Sequence, residues 1–130
     1  MPTFRTPGCH IALPQVQSDV GFVFICPGQY EEKSGVPCSG QTGVMLERAL
    51  PLLFEKMPSI FSSTHRQHYL ITNAWPQVEY KKKTQRSVPL KSEVSSRENV
   101  EGLYHEVKSL RYIVACGNLA HVAIDLCQQI

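Results

Sequence analysis

An unbroken apolar run, Phe22-Val23-Phe24-Ile25-Cys26, is followed at once by Pro27-Gly28. The run is too short for a helix and rich in β-formers, so it predicts a buried strand over about 21–26. Pro27-Gly28 stops that strand and turns the chain. A polar loop over 27–42 follows, carrying Gly35 and Gly40, and Gly43 lies just beyond it. From Gly43 onward Val44, Leu46, Leu50 and Leu53 recur at helical spacing. Strand, turn, glycine-bearing loop and helix in this order is how open α/β sheets place a ligand site at the carboxyl end of a strand.

The rest of the chain extends the same alternation. His68 to Thr72 is short and β-rich, and predicts a second strand. Ser96 is placed to cap a helix over about 97–110, with Val100, Leu103, Tyr104, Val107 and Leu110 on its buried face. Residues 112–116 predict a third strand and 119–129 a last helix. Strands alternating with helices predict a parallel sheet with right-handed crossovers. The 22–26 strand should be central, because its unbroken apolar run requires cover on both faces. The expected architecture is a three-layer αβα sandwich on a short parallel sheet. Residues 1–20 carry Pro2, Pro7 and Pro14 and predict an irregular arm with a short helix over 13–18. Pro51 predicts either an end to the first long helix near Leu50 or a bend within it. Residues 79–96 are polar and aperiodic and predict no regular structure.

At 130 residues the chain is expected to be one domain, with 42% apolar and 18% charged residues, which excludes the disordered class. No apolar run approaches the ~20 residues of a membrane span, so no membrane partner is expected. The opening MPTFRTPGCH lacks the order of a signal peptide, which makes the cytoplasm the expected compartment. Net charge is +2, compatible with nucleic acid without pointing to it. The cysteines at 9, 26, 38, 116 and 127 show no C-x-x-C pair, and the five histidines show no ligand spacing. Neither a metal site nor a cofactor is expected.

The stretch Pro27-Gly28, Glu31-Glu32, Gly35, Pro37, Gly40, Gly43, Leu46 and Leu50 resembles the uracil-DNA glycosylase superfamily, most closely its thermophilic-type, iron–sulfur-bearing branch. Tyr69 to Asn73 and Ile113 to Gly117 fit the same pattern. The resemblance covers roughly residues 20–128. It implies a fourth strand and a histidine-bearing loop that enters the DNA minor groove, both lying after Ile130. Residues 1–130 thus read as a single uracil-DNA glycosylase-like domain cut after its third βα unit. The branch's cluster would need a cysteine pair near the start, where only Cys9 stands.

The resemblance also assigns roles. Such an enzyme extrudes the base, stacks it on an aromatic ring, reads its amide edge and stabilises the departing anion. Asn73 matches the reader, since its acceptor and donors suit the N3–H and O4 of uracil. A strand-end asparagine that bonds local backbone is the competing reading. The family places an Asp or Asn immediately before the proline, or a Glu two before it; Cys26 and Ile25 stand there. Gln29, Glu31 and Glu32 follow the turn and are the candidates to hold a catalytic water. Cys26, Pro27, Gly28, Tyr30, Cys38 and Gly40 would surround the base, with Cys38 where the branch has its stacking aromatic. Lys81, Lys82, Lys83 and Arg86 form a basic run placed to contact phosphates. The implied partner is single-stranded or uracil-containing DNA, and the implied activity is excision of uracil or another deaminated base. The alternative is a catalytically inactive module of the same fold that holds a nucleobase, nucleic acid or a protein partner. An unrelated doubly wound phosphate-binding domain should show G-x-G-x-x-G or a Walker lysine, and neither is present.

Overall fold

The computed structural model describes residues 5–130, so Met1 to Phe4, the start of the expected arm, lie outside the described residues. Three parallel strands, β1 (Val20–Phe24), β2 (Leu70–Asn73) and β3 (Tyr112–Ala115), form a sheet in the order β2-β1-β3. The central, parallel placement expected for the first strand is observed. Val23 of β1 is fully buried, as is Thr72 of β2, whereas β3 is exposed at Tyr112 and half-buried at its other positions.

Among the described residues six α-helices accompany the sheet: α1 (Gln29–Ser34), α2 (Gln41–Lys56), α3 (Lys81–Thr84), α4 (Lys91–Val94), α5 (Arg97–Val107) and α6 (Asn118–Cys127). Side chains alternate across β1, so Phe22 and Val23 enter different cores. Phe22 joins Leu46 and Leu50 of α2 with Phe61, Tyr69 and Ile71. Val23 joins Val100, Leu103 and Val107 of α5 and Ala120, Ala123 and Ile124 of α6. The first crossover runs from β1 to β2 and the second back from β2 past β1 to β3, in opposite directions along the sheet, so right-handedness sends α2 to one face and α5 to the other, where α6 packs beside it. The result is a small αβα arrangement.

Three expectations are corrected. Residues 13–18 form no helix, and Ala12 pairs antiparallel with Ile71 on the outer edge of β2. Pro14 disfavours helical backbone at Leu13, and the Ala12 and Gln15 N–H groups are taken by the Ile71 and Gln67 carbonyls rather than by a helix. Helix α2 runs on through Pro51 to Lys56, so of the two alternatives the end near Leu50 is the one overturned. Pro51 is exposed, so the Glu47 carbonyl that loses its donor is left to solvent. Residues 79–96 are ordered into the one-turn helices α3 and α4, held by ion pairs rather than by apolar periodicity.

Candidate ligand-binding site

The chain leaves β1 at Ile25-Cys26 and Pro27 is fully buried beneath the turn. Helix α1 then starts at Gln29, and the carboxylate of Glu31 in its first turn organises the loop. Its Oε1 accepts the Gly28 N–H at 2.8 Å, and its Oε2 accepts the Ser39 and Gly40 N–H groups at 2.9 and 3.2 Å. Burial would raise the Glu31 pKa, but these backbone donors outweigh it and hold the carboxyl below its ordinary value. Glu32 faces the other way, accepting from the Tyr80 hydroxyl at 2.8 Å and pairing with Lys83. Gln29 and Tyr30 are exposed, and the Tyr30 ring lies against Gly40.

Cys38 is buried in the α2-side core with a left-handed φ of 53°. Arg66 fixes it there, donating to the Pro37 and Cys38 carbonyls at 2.7 Å each. Gly43 is obligatory for this packing, because a Cβ there would lie 1.9 Å from the Cys38 oxygen. Burial pushes the Cys38 thiol up to about 12, and burial again, helped by Glu79 and Glu31, pushes Cys26 up to about 12. Both thiols therefore stay protonated and are poor nucleophiles or bases.

Asn73 is buried at the end of β2, and its amide donates to the His10 carbonyl at 3.0 Å. Its side chain is thus engaged by the arm. Among the described residues Lys81 and Lys82 are exposed on α3 without a carboxylate partner, whereas Arg86 clamps Glu79 and Glu93. Glu79 is held near 2, first by the Arg86 hydrogen bonds, and it also accepts from the Trp75 indole at 2.9 Å.

At the carboxyl ends of β1 and β3 an open cavity of about 450 Å³ lies between α2 and the segment after α3. Phe24, Cys26, Met45, Val88, Val114 and Cys116 line it, with Thr42 and Ser87 as its side-chain hydroxyls. None of its lining residues is a carboxylate or an imidazole. Of the residues expected to surround a base, only Cys26 reaches it. Glu31, Gly28 and Gly40 come together as a loop clamp, and Glu32 with Lys83 as a rim pair; Asn73 joins neither. A cavity of about 520 Å³ opens at the opposite, amino end beside Asp19, His68 and Ser109. The carboxyl-end cavity is the better candidate, because open α/β sheets bind ligands outside the carboxyl ends of their strands where the strand order reverses. Among the described residues no group of three His, Cys, Asp or Glu side chains is arranged to hold a metal, and no helix is long and apolar enough to cross a membrane.

A second polar centre escaped the sequence reading. Asn99, Gly102 and Glu106 occupy one face of α5, and Arg5 lies in the notch that Gly102 leaves. Arg5 donates to Glu106 at 2.8 and 3.0 Å, to Asn99 Oδ1 at 2.8 Å and to the Ala74 carbonyl at 3.0 Å. His10 and Thr72 also reach Glu106, at 3.0 and 2.6 Å. The Asn-x-x-Gly-x-x-x-Glu spacing was the available signal: polar residues at helical period on the side of α5 that also carries Leu103. The network fastens the arm beside β2; it lines no part of the 450 Å³ cavity. No protein-family model matches the chain, and no characterised protein matches its sequence.

Proposed function

We propose that this domain binds an unstacked nucleobase of single-stranded nucleic acid without cleaving its glycosidic bond. The observation that carries the reading is the apolar cavity at the carboxyl edge, large enough for a base and lined by no acid or base group. Phe24 supplies an aromatic surface, and Thr42 and Ser87 supply hydroxyls for the polar edge of a base. Lys81 and Lys82 lie on α3, from which the chain passes through Gln85 and Arg86 into Ser87 and Val88 of the cavity wall. They are placed to take phosphates, giving salt-dependent affinity without sequence preference. The resemblance to uracil-DNA glycosylases supports the same ligand class.

Hydrolysis is the competing reading, and the side chains weigh against it. Glu31 spends both oxygens on the loop, Glu32 is paired, Gln29 points to solvent and the Cys26 thiol is protonated. Nothing in the cavity is left to activate water, a contribution worth about 10²- to 10⁴-fold.

The test compares an oligodeoxyuridine with an abasic oligomer of the same length, by fluorescence anisotropy, in the native chain and in Ala49→Phe, which fills the cavity. Expected is about tenfold tighter binding of the base-bearing oligomer, lost in Ala49→Phe, with no alkali-labile sites formed. Equal affinity for both oligomers would sink base binding. Uracil release at enzymatic rates would restore the glycosylase.

A further inference from the structure

The cavity of about 520 Å³ at the amino end of the sheet carries a paired hydroxyl and imidazole in its wall. Ser63 and His68 both line it, and Ser63 Oγ lies 2.7 Å from His68 Nδ1. The segment between α2 and β2 brings the two together, since its 3₁₀ turn over Arg66–His68 returns the chain to Ser63. Tyr69, 3% exposed, holds the Ser63 backbone on both sides: its hydroxyl accepts the Ser63 N–H at 3.1 Å and donates to the Ser63 carbonyl. The His65 ring meets the His68 ring edge-on, with centroids 5.3 Å apart. Serine and imidazole are thus fixed by the fold itself.

The direction of the hydrogen bond follows from its neighbours. Ser63 Oγ already accepts the His65 N–H at 3.0 Å. Its own proton has no acceptor other than His68 Nδ1 among the described residues, so Ser63 donates, and in the neutral ring the imidazole proton sits on Nε2. A hydroxyl that donates to an imidazole nitrogen is the arrangement of an activated nucleophile. A serine that only caps a turn needs the His65 bond alone. The Thr64 N–H, next in the chain, has no acceptor among the described residues and is free to meet an oxyanion forming beside Ser63. Asp19 lines the same cavity and is not hydrogen-bonded to His68. The pair is therefore a dyad, with the carboxylate favouring an imidazolium through charge alone.

Val16, Val20 and Ile60 give the cavity an apolar side for a short acyl chain, and Asp19 disfavours an anionic one. We propose that Ser63 and His68 hydrolyse small uncharged carboxylic esters in this cavity. Ser63 Oγ bonds to the carbonyl carbon as its proton passes to Nδ1. Collapse of the tetrahedral intermediate breaks the bond to the leaving oxygen, which takes that proton and departs as an alcohol. Water then attacks the acyl-serine carbonyl and gives one proton to Nδ1. The acid is released as that proton returns to Ser63 Oγ. No residue is shared with the carboxyl-end cavity, so the proposal is independent of base binding.

The probe is p-nitrophenyl acetate, with no nucleic acid present. Release of p-nitrophenol is followed by absorbance, and the acetylated residue is mapped by mass spectrometry after an acid quench. Acetylation of Ser63 is expected, with turnover above the buffer reaction. His68→Gln removes the base and Ser63→Ala the nucleophile, and each should slow release about a hundredfold or bring it down to the buffer rate. Diisopropyl fluorophosphate, whose P–F bond breaks as Ser63 Oγ bonds to phosphorus, should block release in the native chain, a result that does not depend on a variant folding. Acetyl groups on lysines with none on Ser63 would overturn the proposal. So would release at the native rate in His68→Gln, or release that survives the fluorophosphate, and the pair would then be a bond within the turn and nothing more.

Discussion

Replacing Glu106 with Gln tests whether the arm is fastened by charge. Glu106 and Arg5 are 12% and 4% exposed at their side chains. Burial alone would raise the Glu106 pKa, but the hydrogen bonds of His10 and Arg5, the Arg5 charge and Thr72 win and lower it to about 2 from its usual 4.5. A depression of roughly 2.5, at ~1.4 kcal/mol each, corresponds to about 3 kcal/mol of stability. Because the folded-state value is the lower one, that stability is complete above the unfolded value and is lost as pH falls through the folded one. Glu106→Gln should therefore cost about 3 kcal/mol at pH 7, and the gap to the native chain should shrink to roughly half or less by pH 3 and close near pH 2. Arg5 left without its counter-ion sets the upper bound, about 3–5 kcal/mol for a broken buried pair. Urea unfolding at pH 7, 4 and 3, read as a shift in midpoint at constant slope, measures it. A loss below ~1 kcal/mol at pH 7, or a gap that does not change with pH, would show that the arginine is held by neutral acceptors and that the carboxylate charge is incidental.

Gly102→Ala puts a Cβ 2.6 Å from Arg5 Cδ and should cost about 1–3 kcal/mol by thermal unfolding; the cost should shrink in an Arg5→Ala background, and full additivity would separate the two sites. Arg86→Ala leaves the carboxylate of Glu79, 3% exposed, without its main partner. Amide exchange across 79–94 should then accelerate about tenfold or more, and an unaltered profile would show that Trp75 and local packing suffice. Iodoacetamide should modify Cys26 and Cys38 slowly at pH 8 and progressively faster to about pH 11, since both thiols titrate near 12. A rate that levels off by pH 9 would contradict that environment.

The strand order was legible because the 22–26 run needs cover on both faces, and because a parallel sheet follows from the alternation of strands and helices. Strand ends were less so: β2 begins at Leu70 because His68 closes a 3₁₀ turn with Arg66 and Gln67. Helices α3 and α4 were illegible to periodicity, being one turn each; what orders them is the Glu79–Arg86–Glu93 clamp, whose members stand at intervals of seven. The same clamp removes Arg86 from the basic run in which it seemed to belong by composition. Glu31 was readable in a different role, since an acid three residues after Gly28 has the spacing of a helix-capping carboxylate. Asn73 was singled out correctly as a residue at the carboxyl edge of the sheet. Its bond to His10 was beyond reach, because it depends on how an aperiodic arm lies across a strand.

The Arg5–Glu106 contact joins residues 101 apart. During synthesis at ~5–20 residues per second, roughly 5–20 s separate the appearance of the guanidinium from that of its carboxylate. Asn99, its other side-chain partner on α5, arrives almost as late. Until then the arm is held from the β2 side alone, by Ala12 and Gln15, by the Asn73 amide on the His10 carbonyl and by Arg5 on the Ala74 carbonyl, and those bonds need β2 already in place. The β2 edge thus stays unprotected until β2 has formed, and the arm gains its charged fastening only after α5 arrives. A ribosome-bound series of increasing length should show protease protection of the arm only once α5 has emerged.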